Sequence, residues 1–501
     1  MPLRLYNTLT KSLQDFTPID PAGCVRFYSC GPTVYDDAHI GNFRSFLNAD
    51  VLRRTLELSG YTVRHVMNIT DVGHMTEDDN ADGGGEDKMS LAGRRIAEAK
   101  KSGALPPGTD IDPSNPYAVA EFYASRFLED ARHLGLRVAE EERAQPQLMP
   151  RPTRCVKEMI ALVSTLIARG NAYVASDGVV YFSVLSFPAY GQLSGNTLDK
   201  IREGEGGRIS AVHQAVKRHP ADFMLWKADP THIMRWPSPW GEGYPGWHLE
   251  CSAMAEMLLG SEIDLHSGGE DNIFPHHECE VAQSCCASGL PYFSRVWFHT
   301  RHLQVEGEKM SKSKGNFFTA RDLFAKGVTP AALRLELVRT HYRTNSNFTL
   351  QGLRDCQRMI DRWCAAERAL HERQMDGLSG VGPMQRALVE FKAALEDDLN
   401  VARAIGALNS AINEPAAGDA SAERDAIAQM NTVLGVLERN NALNTSAQDD
   451  LATRVTALLE LRKQARAAKD FAASDRVRDE LTALGVKIKD GPQGTTWERV
   501  V

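Results

Sequence analysis

Cys30, Cys251 and the run PHHECE at 275–280 place thiols, imidazoles and carboxylates within one chain, and Cys251 itself lies in GWHLECSAM. Two thiolates with a nearby histidine and glutamate are the donor types of a zinc site. His276 and Glu280 stand four residues apart, and His276 and Cys279 three apart, so either partner could share a helix face with His276. Spacing alone leaves the fourth donor open between Glu280 and Cys279. The run is not an H-E-x-x-H metalloprotease helix, because the second histidine is missing at that spacing. Cys24, Cys155, Cys285, Cys286, Cys356 and Cys364 read as small buried residues.

Two further stretches suit phosphate chemistry. CGPTVYDDAHIGN (30–42) joins a strand to a helix, and such a turn presents backbone N–H groups to an anion. His39 and Asn42 flank Gly41 there and could face a nucleotide; the plainer reading is a histidine that shapes the turn. Far along the chain, GEKMSKSKGN (307–316) sets Lys309, Lys312 and Lys314 between Gly307 and Gly315. A glycine-flanked lysine loop can fold over a triphosphate and neutralise charge on departing pyrophosphate. Its plainer reading is a solvated charge run.

These residues need a frame. CVRFYSCGPTVY (24–35) reads as a strand and turn, and GNFRSFLNADVLRRTLELSG as a helix with Phe43, Leu47 and Val51 on one face and Gly60 at its end. YTVRHVMNIT (61–70) reads as a second strand, which completes a βαβ unit and predicts a parallel α/β sheet. Residues 76–116 are acidic and rich in glycine and proline, an insertion expected to hold one helix over 88–101. Helices are expected over 117–135 and 152–170, and a strand over 177–184. Beyond 329 the text is helical to about 440, residues 440–450 read as a linker, and 451–501 as a small module.

The 501 residues leave room for about three domains. Hydrophobic residues at 43% and charged residues at 24% are ordinary for a globular chain. No run of 18 apolar residues occurs, so no membrane span is expected, and the polar start carries no secretion signal. Nine cysteines without a paired spacing fit free or metal-bound thiols in a reducing cytoplasm. The net charge of −8 excludes a uniformly basic nucleic-acid coat. It is uneven, however: residues 351–450 carry −6 and residues 451–501 carry +3.

HIGN with KMSKS resembles the class I aminoacyl-tRNA synthetases, with Asn42 where HIGH has its second histidine. FYSCGPTVYDDAHIGN, MNITDVGH, GWHLECSAM, HSGGEDNIFPHHECE, KMSKSKGN and the tail DGPQGTTWERV resemble, in order, the motifs of that class's cysteine-specific family. The resemblance spans residues 5–75, 117–350 and 451–501. It implies a Rossmann-like parallel-sheet catalytic domain (1–328, with the insertion), a helical bundle (329–440) and a small C-terminal anticodon-binding module (451–501). It implies Zn2+ held by Cys30, Cys251, His276 and Glu280, so that the choice falls on Glu280. It implies Mg2+ with ATP, an ATP site using Gly31, Thr33, His39, Gly268, Gly269 and Lys312, and a cysteine pocket lined by Thr70 and Trp247. His39, Asn42, Lys309 and Lys312 would serve catalysis, with L-cysteine and tRNA(Cys) as the other partners of a cytoplasmic monomer.

Chemistry supports that ligand set. An apolar pocket separates cysteine from serine by only about 1–3 kcal/mol, whereas zinc prefers a thiolate to an alcohol. No segment between the motifs reads as an editing domain. Arg462, Lys463, Arg466 and Lys469 recur along a basic helix pattern, and Trp497 could stack on an unpaired base. Two rivals use the same motifs: a ligase that joins cysteine to a small amine, and an inactive binding paralogue. The first would lack the bundle and basic tail, and the second would have lost a ligand or a loop lysine; this chain keeps all of them.

Overall fold

Strand β1 (Cys24–Ser29), helix α1 (Ile40–Leu58) and strand β2 (Thr62–Met67) form the βαβ unit that the sequence pattern requires, with β1 and β2 parallel. Phe43, Leu47 and Val51 are fully buried along α1, and Gly60, at φ +93°, turns the chain after the helix end. The computed structural model describes residues 2–77, 84–106, 108–196, 216–311, 315–373, 380–442, 446–467, 470–483, 486–491 and 494–499.

Strands β3 (Ile263–Gly269) and β4 (Ser294–Thr300) complete a parallel sheet in the order β4-β3-β1-β2. The two central strands are covered on both faces, with Val25, Phe27, Tyr28, Ile263 and Leu265 at zero exposure. Parallel sheets require that double cover. The chain leaves β1 toward β2 on one side and returns as β3 on the other. The crevice beyond the carboxyl ends of β1 and β3 is therefore the switch point at which open α/β sheets bind ligands.

Within the 76–116 insertion, strands Met75–Glu77 and Gly84–Asp87 pair antiparallel and lead into α2 (Lys88–Ser102). Asp87 caps α2 by accepting from Ser90 N (2.9 Å), and Gly103 ends it at φ +70°. A second, antiparallel sheet carries strands Ala172–Val174, Val180–Phe182, Phe223–Ala228 and Gly243–Pro245. Its apolar side shares one core with helices Val156–Ala168, α3 (Trp247–Leu259) and α4 (Glu278–Ser288). Those last two helices carry Cys251 and Glu280.

Two compact units divide the chain: Met1–Leu303 with Thr340–Ser346 and Lys392–Ala404, and Gln304–Arg339 with Asn347–Phe391 and Ile405–Val501. The second unit is dominated by helices, including Pro330–Val338, Leu350–Glu372 and Ala420–Leu434. Arg334, fully buried, donates through Nε to the Leu434 carbonyl at 2.6 Å and so satisfies the end of a neighbouring helix. At the C-terminus, helices Ser446–Ala467 and Phe471–Ala483 precede the hairpin Val486–Gly491/Gly494–Arg499. Val455, Leu458, Leu481 and Val486 form the small core of that module.

Two expectations need correction. The linker read at 440–450 is largely helical, because helix Leu437–Ala442 covers its start and the next helix begins at Ser446. Arg462 is buried rather than presented with the basic residues Lys463 and Arg466 (Lys469 lies outside the described residues). His276 stands in a wide helical turn, Ile273–His277, that runs directly into α4 at Glu278, with only Phe274 departing from helical backbone.

Candidate metal and adenylate site

Cys30 is the first residue after β1, where the chain leaves the sheet into the crevice, and its N–H still donates to the Ser267 carbonyl of β3 (3.0 Å). Cys251, in the second turn of α3, brings its Sγ to 3.8 Å from that of Cys30. With Zn–S bonds of about 2.3 Å, the edge between two sulfurs of a tetrahedral site is also about 3.8 Å. His276 Nε2 lies 3.0 Å from Glu280 Oε1, which is itself 3.8 Å from Cys30 Sγ. The four donor atoms of Cys30, Cys251, His276 and Glu280 all lie within 4.8 Å of one another, and all four residues are buried. Their chemistry and spacing fit zinc.

Cys279, the alternative left open by spacing, points elsewhere. It is fully buried in the apolar core, with its sulfur 3.6 Å from Tyr190 Oη. On α4 it lies one position before Glu280, about 100° away around the axis, so the two residues cannot face the same centre.

The sequence reading missed the histidines behind the donors. With His276 Nε2 turned to the cluster, its Nδ1–H donates to His248 Nδ1 (2.9 Å). Glu280 Oε2 accepts from His266 Nε2 (2.9 Å). His276 and Glu280 thus each have their second polar atom held by another buried imidazole, the arrangement that fixes ring orientation and tautomer at metal sites. His277 Nε2 sits 3.2 Å from Cys30 Sγ, and His277 Nδ1 is 2.7 Å from His299 Nε2. Cys30, His266, His277 and Glu280 consequently form a second set of four donors within the same reach. The first set offers two soft thiolates where the second offers one, and His266 Nε2 is already committed to Glu280. Alternation along β3 was the available signal, since it directs His266 to one face in the middle of a central strand.

Charge in the cluster favours a cation. Burial works against Glu280, yet His266 and His276 hold its carboxyl down to about 2. Burial also opposes a charge on His276, but Glu280 and Cys251 raise it to about 10. The contact with Cys30 holds the Cys251 thiol down to about 7, whereas burial pushes Cys30 up. Replacing His248 by alanine should weaken zinc binding about 10- to 100-fold while all four donors remain. Competition with a chromophoric chelator measures this; unchanged affinity would reduce His248 to packing.

Of the expected nucleotide residues, Gly31, Thr33, His39 and Asn42 follow the carboxyl end of β1, and Gly268 and Gly269 form that of β3, around the same crevice. Val34 N donates to Thr70 O (3.0 Å) and Thr70 N to Pro32 O (2.9 Å), so the turn holding Thr33 runs beside Thr70. A side chain at Gly31 would lie 1.8 Å from Asn68 O, so only glycine permits that approach. His39 caps α1: its Nδ1 accepts from Asn42 N and Asn42 Oδ1 accepts from His39 N, both at 3.1 Å. That reciprocal box is a structural use of the pair, and it gives Asn42 a reason to stand there. Gly268 makes room for His277, whose Cε1 would be 2.7 Å from an added Cβ, and Gly269 for Asp271.

Trp247 packs on His276 with ring centroids 4.7 Å apart. Thr70 Oγ1 donates to Glu250 Oε2 (3.1 Å), and Glu250 Oε1 is 2.6 Å from His74 Nε2. Glu250 and His74 were not anticipated from sequence; a carboxylate at zero exposure beside Cys251 is the feature that marks them. Lys309 is exposed, and Asn316 closes the loop it begins by donating to Lys309 O (3.2 Å) and accepting from Ser311 N (2.8 Å). Lys312 and Lys314 lie outside the described residues.

Comparison with solved structures places the fold among the class I tRNA synthetases. Mycobacterium tuberculosis methionyl-tRNA synthetase bound by methionyl-adenylate superposes with a TM-score of 0.51 at 12% identity, over 90% of this chain and 96% of that one. The agnB2 LeuRS of Agrobacterium radiobacter K84, in a ternary complex, gives 0.54 at 11% identity over 85% of each chain. In sequence, residues 16–358 match the family described as "tRNA synthetases class I (C) catalytic domain", and 448–497 match "Cysteinyl-tRNA ligase anticodon binding domain". The cysteine--tRNA ligase of Salinibacter ruber is 43% identical over 99% of this chain and 98% of its own length; that of Chlorobaculum tepidum is 41% identical over 99% of both. The chain belongs to the cysteine--tRNA ligase family, ligases of the aminoacyl-tRNA synthetase class.

Proposed function

We propose that this chain activates L-cysteine with Mg-ATP to cysteinyl-adenylate and transfers the cysteinyl group to the 3′ end of tRNA(Cys). The observation that carries the reading is the buried set Cys30, Cys251, His276 and Glu280 at the sheet's switch point, beside the HIGN turn. Zinc bound there would supply a soft acceptor that takes a thiolate far better than an alcohol, which separates cysteine from serine without editing.

The chain's own residues do the rest. Trp247 and Thr70 line the amino-acid pocket, the indole backing His276 and the hydroxyl held in place by Glu250. Gly31, Thr33, His39, Asn42, Gly268 and Gly269 serve the nucleotide. The cysteine carboxylate attacks the α-phosphorus, pyrophosphate departs, and Lys309 and Lys312 stabilise the charge that builds on it. Catalysis is positioning and electrostatics, with no protein nucleophile. Magnesium accompanies ATP, and the chain works as a cytoplasmic monomer; among the described residues no helix is long and apolar enough to cross a membrane.

Charging of a tRNA(Cys) transcript with cysteine tests the reading, and cysteine-dependent pyrophosphate exchange without charging would favour the small-amine ligase. The C-terminal residues 451–501 read the anticodon. The change from −6 to +3 at their boundary supports this, and Trp497 lies on the strand of the hairpin that faces Ile488 in register. Their deletion should leave pyrophosphate exchange nearly intact and strongly reduce charging. Equal loss of both would make the module structural.

A further inference from the structure

Between the turn that serves the nucleotide and the pocket that serves the amino acid stands a lysine supplied by the insertion. Lys88 is the first residue of α2, and its ammonium lies 5.6 Å from the ring centroid of Tyr35 and 5.8 Å from that of Trp247. Tyr35 belongs to the CGPTVYDDAHIGN turn, whereas Trp247 opens α3 and packs on His276. The charge is thus shared between one aromatic wall from each half of the site.

Its placement is fixed from several sides. Lys88 N donates to His74 O (2.9 Å), and the His74 ring is tied through Glu250 to Thr70. Asp87, one residue earlier, caps α2 and lies 3.0 Å from His232 Nε2. Gly73 permits this approach, because a Cβ there would fall 2.4 Å from Asp87 Oδ2. The insertion is therefore docked against the pocket through Asp87 and the Lys88 backbone.

We infer that Lys88 is a further catalytic residue, which neutralises the substrate carboxylate and the ATP α-phosphate where they meet. The inference rests on the adenylate reading above. Joining two anions needs positive charge at the junction, and the Lys88 ammonium stands between the turn and the pocket that would bring them together. It also gives the 76–116 insertion a role: it delivers a cation to the reacting groups.

The test compares Lys88→Met and Lys88→Arg in cysteine-dependent pyrophosphate exchange, with zinc content and thermal midpoint measured on the same samples. Lys88→Met should lower kcat about 100-fold with little change in KM for ATP, and Lys88→Arg should recover most of it, while metal content and midpoint stay at wild-type values. Unchanged kcat in Lys88→Met overturns the inference. So does a loss that follows falling zinc content or midpoint in both variants, which would make Lys88 a packing residue. A wild-type chain without cysteine-dependent exchange would instead refute the adenylate reading itself.

Discussion

Alanine in place of Lys312 will slow cysteinyl-adenylate formation by about 10²–10³, with ATP affinity nearly unchanged. A positioned charge that meets developing negative charge is worth about 3–4 kcal/mol in the transition state. Gly307 and Gly315 flank the three lysines in the sequence, and both have positive φ (+81° and +67°) that other residues adopt only with strain. Pre-steady-state measurement of adenylate formation, with ATP binding measured separately, separates the two effects. Weaker ATP binding with an unchanged chemical rate would make the loop a binding clamp.

Removal of the Cys251 thiol should have a larger effect still. In Cys251→Ala the cluster loses one of two soft donors, and Cys30, His276 and Glu280 remain at zero to 7% exposure without it. Cysteine-dependent exchange should fall on the order of 10⁴, the scale on which a site built for a directional partner loses when that contact is unmade. ATP binding should persist, because the 30–42 turn is held by the contacts of Pro32 and Val34 with Thr70 and by the His39–Asn42 cap. Zinc content measured on the same sample checks the cause. Full activity with one zinc retained would move the centre to the second donor set, Cys30, His266, His277 and Glu280.

Much of the frame was legible because its signals are local. Strand, glycine turn, apolar helix stripe and strand within 24–70 sufficed for the parallel unit. The histidines behind the donors were not legible. His266 reaches Glu280 from strand β3, and His248 reaches His276 from α3, pairings set by tertiary packing rather than by spacing along one element. The His276–Glu280 contact was legible from its spacing of four, because beyond Phe274, which is in extended backbone, the helical turn that holds His276 runs directly into α4. Gly268 has in addition a local use that spacing does not show, since its missing side chain admits the ring of His277. The linker at 440–450 failed because its polar composition is equally suited to exposed helix ends.

Cobalt substitution of the metal centre, followed by titration with cysteine and then with serine, tests the central claim most directly. One cobalt per chain with thiolate-to-metal charge-transfer absorption is expected from Cys30 and Cys251. Cysteine should raise that absorption, as a third sulfur joins the centre, and serine should leave it unchanged. Absence of a bound metal in active protein, or the same response to both amino acids, would contradict selection of cysteine by its thiolate at this site.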